Sequence, residues 1–151
     1  ALLKDHVFEL AADPTQTSGL PTALKDVPAF DLTPLEKSIA RLQVSAKAYD
    51  AAFATKAAKL AAPARDRLWN TMQHLDQSLA LEAGLPGRPW YKNLIYAPGR
   101  YTGYGAKTLP GVREAIEEER WNDATQYIGL TAGTINAYSA RLDQATAILK
   151  R

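Results

Sequence analysis

The side chains in this 151-residue sequence best suited to acid–base or metal chemistry are two histidines, His6 and His74, and a run of three glutamates, Glu117-Glu118-Glu119. His74 falls between Met72 and Leu75 in a helical stretch, with no Asp or Glu three or four residues away. The spacing that brings two ligands to one ion on a helix is therefore lacking, and His74 reads as a structural or surface histidine. His6 has Asp5 and Glu9 nearby, but one turn of helix cannot build a catalytic zinc site. Consecutive helical residues point in different directions, so the three glutamates do not face one another and read as a solvated helix end. Cysteine is absent, which excludes thiol nucleophiles, thiolate metal sites and disulfides. No Gly-x-Ser-x-Gly elbow, phosphate loop or dinucleotide fingerprint occurs, and Gly103-Tyr104-Gly105 is too short to cradle a phosphate. Arg88, Lys92, Arg100 and Lys107 alternate with tyrosines, a pattern that could stack on single-stranded nucleic acid. With only four cations, and prolines fixing the shape, a packed Ω-type loop is the favoured reading. An independent hydrolase needs a nucleophile, a base or a metal cluster. None is legible, so the chain is expected not to be an enzyme by itself.

The elements that must position these residues are mostly helical. Hydrophobic residues make up 46% of the chain and charged residues 23%, which describes a folding, globular sequence of about one domain's length. Net charge is +2, too small for a strong pull toward nucleic acid or anionic lipid. No apolar run approaches the roughly 20 residues that span a bilayer. The start, Ala1-Leu2-Leu3-Lys4-Asp5, is broken by charge too early for a signal-peptide core. It begins with Ala rather than Met, which fits a segment taken from something longer.

Residues 2–11 predict a short amphipathic helix ended by Asp13-Pro14, and residues 13–31 predict a linker. Thr33-Pro34-Leu35-Glu36 predicts a capped start for a helix of about 28 residues. Its apolar stripe runs Leu35, Ile39, Leu42, Ala46, Tyr49, Phe53, Ala57 and Leu60. Pro63 interrupts it, and a second stripe, Leu68, Met72, Leu75 and Leu79, is expected to continue until Gly84. Residues 84–111 are a Gly/Pro/aromatic loop, with Leu94-Ile95-Tyr96 as a short extended segment. A loop this long inside a compact domain is usually functional or disordered, and its tyrosines and tryptophan argue for order. A short helix over 110–120 follows. A long last helix, capped at Asn122 or Asp123, carries Ile128, Thr131, Ile135, Tyr138, Leu142, Ala145 and Leu149 on one face. The sum is an all-α, up-and-down helical bundle resembling a four-helix bundle, with an inserted loop at 84–111. The expected division is residues 1–30 as short helix and linker, and 31–151 as the helical domain.

The segment Gly84-Leu85-Pro86-Gly87-Arg88-Pro89-Trp90-Tyr91-Lys92-Asn93-Leu94-Ile95-Tyr96-Ala97-Pro98 resembles the Gly-Leu-Pro-x-Arg-Pro-aromatic-Tyr-x-x-x-Ile-Tyr-Ala-Pro segment of the transferrin-receptor-like dimerisation domain. That domain ends the chain of glutamate carboxypeptidase II and its relatives. Leu109-Pro110-Gly111-Val112 resembles the family's Phe-Pro-Gly-Ile, and Phe30-Asp31 its Pro-Phe-Asp. The resemblance is specific over 84–112 and generic in the helices.

The resemblance implies a helical bundle that pairs subunits as a homodimer, within a zinc-dependent glutamate carboxypeptidase or aminopeptidase. Two zinc ions would lie in a separate peptidase domain and none in this chain. It also implies that the loop after Ala97-Pro98 helps close the pocket for the substrate's C-terminal residue. Tyr104 falls on the family's carboxylate-binding tyrosine, and Gly103 stands where the family has lysine. Arg100 and Lys107 are the cations near enough in sequence to compensate. Expected partners are a second copy and the peptidase domain, with no nucleic acid and no membrane; an extracytoplasmic location is the family expectation. The alternative is a free-standing helical-bundle module that binds a small ligand between its helices.

Overall fold

Pro34 begins the first long helix because a proline in the first turn forfeits only an amide that has no helical partner. The computed structural model describes residues 1–10, 23, 25–101 and 103–151. Within them lie α1 (Val7–Leu10), α2 (Thr33–Lys56), α3 (Ala62–Met72), α4 (Pro110–Glu117) and α5 (Trp121–Lys150), with a two-stranded hairpin between α3 and α4. The expected Asp13-Pro14 stop and most of the 13–31 linker lie outside the described residues. The predicted helix over 2–11 is shorter, since residues 2–6 form turns and His6 has a left-handed φ of 54°.

Helices α2 and α5 form the spine. Leu35 near the start of α2 shares a core with Ile128 and Ile135, and Ala52 near its end shares one with Ala145 and Leu149. The two helices therefore run in the same direction. Leu68 of α3 joins the second core, and Leu79 beyond α3 lies in a groove with Ile135 and Tyr138, so this segment returns antiparallel. The bundle is up-down-up, mainly helical as expected.

The α2–α5 seam interleaves small residues with these larger apolar ones. On α2 the buried positions are Leu35, Ser38, Ser45 and Ala52. Facing them, α5 buries Thr131, Ala132, Ser139, Ala145 and Thr146 among others. Three hydroxyls in this seam are satisfied within their own helices: Ser38 donates to the Leu35 carbonyl at 2.8 Å, Ser139 to that of Ile135 at 2.9 Å, and Thr146 to that of Leu142 at 2.8 Å. A buried hydroxyl with such a partner avoids the cost of an unmade hydrogen bond. Of the large apolar stripe predicted for α2, Leu35 is in the core and Leu42, Tyr49, Ala57 and Leu60 pack half-buried against it, while Ile39 and Phe53 each remain 47% exposed.

Element ends differ from the sequence reading for identifiable reasons. The cap residue of α2 is Leu32, not Thr33, and it is the Asp31 carboxylate that accepts the Thr33 amide at 2.9 Å. The second stripe stops at Met72 rather than at Gly84. Beyond it, a short 3-10 turn at Asp76–Leu79 leads into chain captured by the loop: the Leu94 amide donates to the Leu79 carbonyl and the Leu81 amide to that of Lys92. Tertiary pairing here outweighs helical propensity. Helix α5 starts at Trp121, with no side-chain cap from Asn122 or Asp123.

Candidate functional site

The loop from Gly84 to Leu109 is ordered by its own apolar residues and by one buried ion pair. Leu85, Leu94 and Ala97 lie in the core with Val112 and Tyr127. Gly84 has φ +67°, and a Cβ there would stand 2.2 Å from the Pro89 carbonyl oxygen, so only glycine fits this turn. The Gly84 carbonyl accepts the Tyr127 hydroxyl at 3.0 Å, and burial pushes the Tyr127 phenol above its ordinary pKa, keeping it a donor. Gly111 completes the joint, since a Cβ there would stand 2.2 Å from Cδ1 of the Tyr127 ring. Asn93 turns the chain by accepting the amides of Ile95 and Tyr96.

From this base a hairpin projects. Strand β1 (Tyr96–Pro98) pairs antiparallel with β2 (Ala106–Thr108), with Ala97 opposite Lys107. The expected extended segment at 94–96 therefore lies two residues later. The Gly99 amide donates to the Gly105 carbonyl at 3.1 Å, closing the neck. Tyr104 sits at the tip, fully exposed.

The ion pair joins Arg88 to Glu114 of α4, which are only 6% and 2% exposed. Arg88 Nη2 donates to Glu114 Oε1 at 2.7 Å. Arg88 Nη1 donates to the Pro98 carbonyl, and its guanidinium lies 5.2 Å from the centre of the Tyr91 ring. Glu114 Oε1 also accepts the Arg100 amide at 3.1 Å. Nothing in the sequence reading marked Glu114. The available signal was an acid on the inner side of a short helix, near Pro110 and Gly111, opposite the Arg of a Gly/Pro-rich loop.

The glutamate run is an acceptor for the hairpin's cations rather than a solvated end. Glu117 accepts from Lys107 and Arg113. Glu118 accepts from Arg120 at 2.8 Å, from the Tyr101 hydroxyl at 3.0 Å and from Arg100 at 3.2 Å. Glu119 pairs with Lys25. The hydrogen bond from Lys107 holds the Glu117 carboxyl below its ordinary pKa. For Glu118, burial opposes ionisation, but the hydrogen bonds from Arg120 and Tyr101 outweigh it and the pKa is lowered. These acids end α4 in a Schellman turn, with Glu119 left-handed at φ 56° and the Arg120 amide donating to the Ala115 carbonyl at 2.7 Å.

The sequence-predicted residues are thus placed as follows. Tyr104 and Gly103 share the tip, with open space where a Gly103 side chain would project. Arg100 and Lys107 stand on the hairpin's flanks, engaged by Glu118 and Glu117. His74 is exposed, with Nε2 3.3 Å from Gln73 Nε2. Among the described residues no group of three or more His, Asp or Glu side chains gathers to hold a metal ion. Among them, too, no helix is long and apolar enough to cross a membrane.

Two apolar grooves, each about 390 Å³, flank the large stripe of α2. One is lined by Tyr49, Phe53, Leu60, Leu68, Trp69 and Met72. The other is lined by Ile39, Leu42, Leu79, Ile95, Ile135 and Tyr138 among others.

Among the described residues, fold and loop together define a helical domain that presents a braced hairpin and an exposed apolar face. Residues 30–143 match the transferrin receptor-like dimerisation domain, and the chain belongs to that family. It is 38% identical over 91 residues, 60% of its length, to a probable glutamate carboxypeptidase LAMP1 of Arabidopsis thaliana, and there covers 13% of the relative. It is 30% identical over 122 residues, 75% of its length, to a probable glutamate carboxypeptidase of Arthroderma benhamiae, covering 16% of that protein. The chain thus spans about a seventh of the curated relatives it matches.

Proposed function

We propose that this chain is the dimerisation and accessory domain of a zinc-dependent glutamate carboxypeptidase or a related aminopeptidase, and that its hairpin helps shape the parent enzyme's substrate pocket. The observation that carries the association half is the set of exposed apolar side chains on α2 and α3. Ile39 and Phe53 at 47% exposure and Trp69 at 67% rim apolar grooves that the described residues leave open. Contiguous exposed apolar surface of this kind marks a protein–protein face. A second copy covering the same face would form a two-fold interface. The exposed rims suit a face that another surface covers better than an enclosed small-ligand pocket, which weighs against the free-standing module.

At the hairpin, the Tyr104 phenol is the group offered to a substrate carboxylate. Glu117 and Glu118 each hold a second cation, Arg113 and Arg120, beside Lys107 and Arg100. Either hairpin cation can therefore turn toward substrate without leaving a bare glutamate. The zinc implied for the parent finds no ligand set among the described residues, and its chemistry is assigned to the peptidase domain. Light scattering on the full-length protein tests association. The wild type is expected as a dimer, and Phe53→Glu with Trp69→Glu as a monomer with unchanged helix content. A wild type that stays monomeric at high concentration would refute this half of the reading.

A further inference from the structure

Arg88 and Glu114 grip the polypeptide on both sides of Gly99, the point where β1 becomes the tip. Before it, the Pro98 carbonyl accepts Arg88 Nη1. After it, the Arg100 amide donates to Glu114 Oε1 at 3.1 Å. The two side chains close the bracket on each other at 2.7 Å, away from water. The rest of the neck is held by the β1–β2 pairing, by the backbone bonds from Gly99 to Gly105 and from Gly103 to Gly99, and by exposed contacts of Arg100, Tyr101 and Lys107 with Glu118 and Glu117. Exposed pairs between flexible side chains hold geometry weakly. A buried, charge-assisted pair with fixed guanidinium geometry holds it strongly.

We propose that Glu114, acting through Arg88, is a positioning residue for substrate: it sets the direction in which the hairpin carries Tyr104 into the parent's pocket. This rests on the pocket reading given above. The bracket transmits the placement of α4, itself locked to α5 by the Gly111–Tyr127 contact, to a tip where a Cβ at Gly103 or Gly105 would meet nothing within 4 Å.

The test uses the full-length protein, with a blocked dipeptide ending in glutamate as probe. Glu114→Gln keeps the volume and removes the charge. Arg88→Met with Glu114→Leu removes both polar ends and leaves no buried charge unpaired. Hydrogen exchange at 99–105, and at the Arg100 amide above all, is expected to rise roughly tenfold in both variants, with α5 and the oligomeric mass unchanged. KM for the probe is expected to rise roughly tenfold with kcat within about twofold, matching the pattern of Tyr104→Phe, and Glu114→Asp is expected to restore most of it. Unchanged exchange at 99–105 overturns the inference, and so does an equal rise through α4 and α5. Selective loosening that leaves KM unmoved, while Tyr104→Phe raises it, also overturns it. If neither variant nor Tyr104→Phe affects KM, or the wild type does not cleave the probe, the pocket reading falls instead, and exchange alone decides whether the bracket orients the hairpin.

Discussion

The Arg88 guanidinium and the Glu114 carboxylate, 26 positions apart in sequence, meet at 2.7 Å where both are almost wholly withdrawn from water. Two charges in such a place are stable only as a pair, and each end is also tied to the backbone at the root of the hairpin. Removing one partner strands the other. Arg88→Met is therefore expected to cost about 3–5 kcal/mol of stability. The double replacement Arg88→Met with Glu114→Leu is expected to recover most of that loss. Chemical denaturation of the four proteins in a double-mutant cycle measures both, and a strictly additive cycle would contradict the pairing.

Gly84 is under a separate constraint. Its left-handed backbone and the 2.2 Å approach of a would-be Cβ to the Pro89 carbonyl oxygen both oppose any side chain. Gly84→Ala is expected to lower stability by more than about 2 kcal/mol. It should also release the Tyr127 hydroxyl, which a shift in tyrosine fluorescence or in tyrosine titration would report. An alanine variant as stable as the wild type would mean that the turn has another conformation.

Acid should loosen the flank of the hairpin before it loosens the spine. Glu117 and Glu118 have folded pKa values lowered by their partners, Lys107 first for the one, Arg120 and Tyr101 against burial for the other. A depressed carboxyl stabilises the fold above its unfolded value of about 4.3 and loses that contribution as pH falls through the lower folded value. Hydrogen exchange at residues 96–108, corrected for intrinsic rate, is expected to be flat from neutral pH to about 5 and to rise below about 4. Glu117→Gln with Glu118→Gln should flatten that rise.

How much of this was legible in the sequence depended on what signal each feature left. The loop at 84–111 announced itself through glycine, proline and tyrosine, and its family resemblance was specific. The face of α5 followed from apolar spacing: Ile128, Thr131, Ile135, Leu142, Ala145 and Leu149 are all buried, and Tyr138 is half-buried. On α2 the same method found Leu35 but gave Ile39 and Phe53, both largely exposed, the same weight and passed over the small buried residues, because spacing weights large side chains. The seam also uses Ser38, Ser45 and Ala52, whose value lies in close approach and, for Ser38, in a hydroxyl satisfied within its own helix. Met72 ended its helix early because the Leu79 and Lys92 carbonyls took amides from across the loop, an exchange that no local pattern records. Glu114 was illegible for a related reason: its meaning depends on Arg88, and long-range pairs leave no trace in spacing.

The tip offers a direct test of carboxylate recognition. Tyr104→Phe removes one hydroxyl from a fully exposed residue. It is expected to leave the melting temperature unchanged and to raise KM roughly tenfold for a dipeptide ending in glutamate. An unaltered KM would remove Tyr104 from the pocket.

Gly103→Lys places an ammonium beside that phenol. Space is open there, although φ +66° is unfavourable by about 1–2 kcal/mol for any side chain. The variant is expected to improve kcat/KM for C-terminal glutamate over C-terminal alanine. Equal ratios for the two substrates in wild type and variant would show that position 103 does not face the carboxylate.

The open space around Gly103 and Gly105 has a consequence for how such a domain can change over generations. Substitutions at the tip meet no neighbour, so they escape the veto that a packed interior imposes on novelty. The root, by contrast, is fastened by Gly84, Gly111, Arg88 and Glu114 and tolerates almost nothing. Novelty can therefore gather at the tip in a handful of residues while the scaffold is inherited intact.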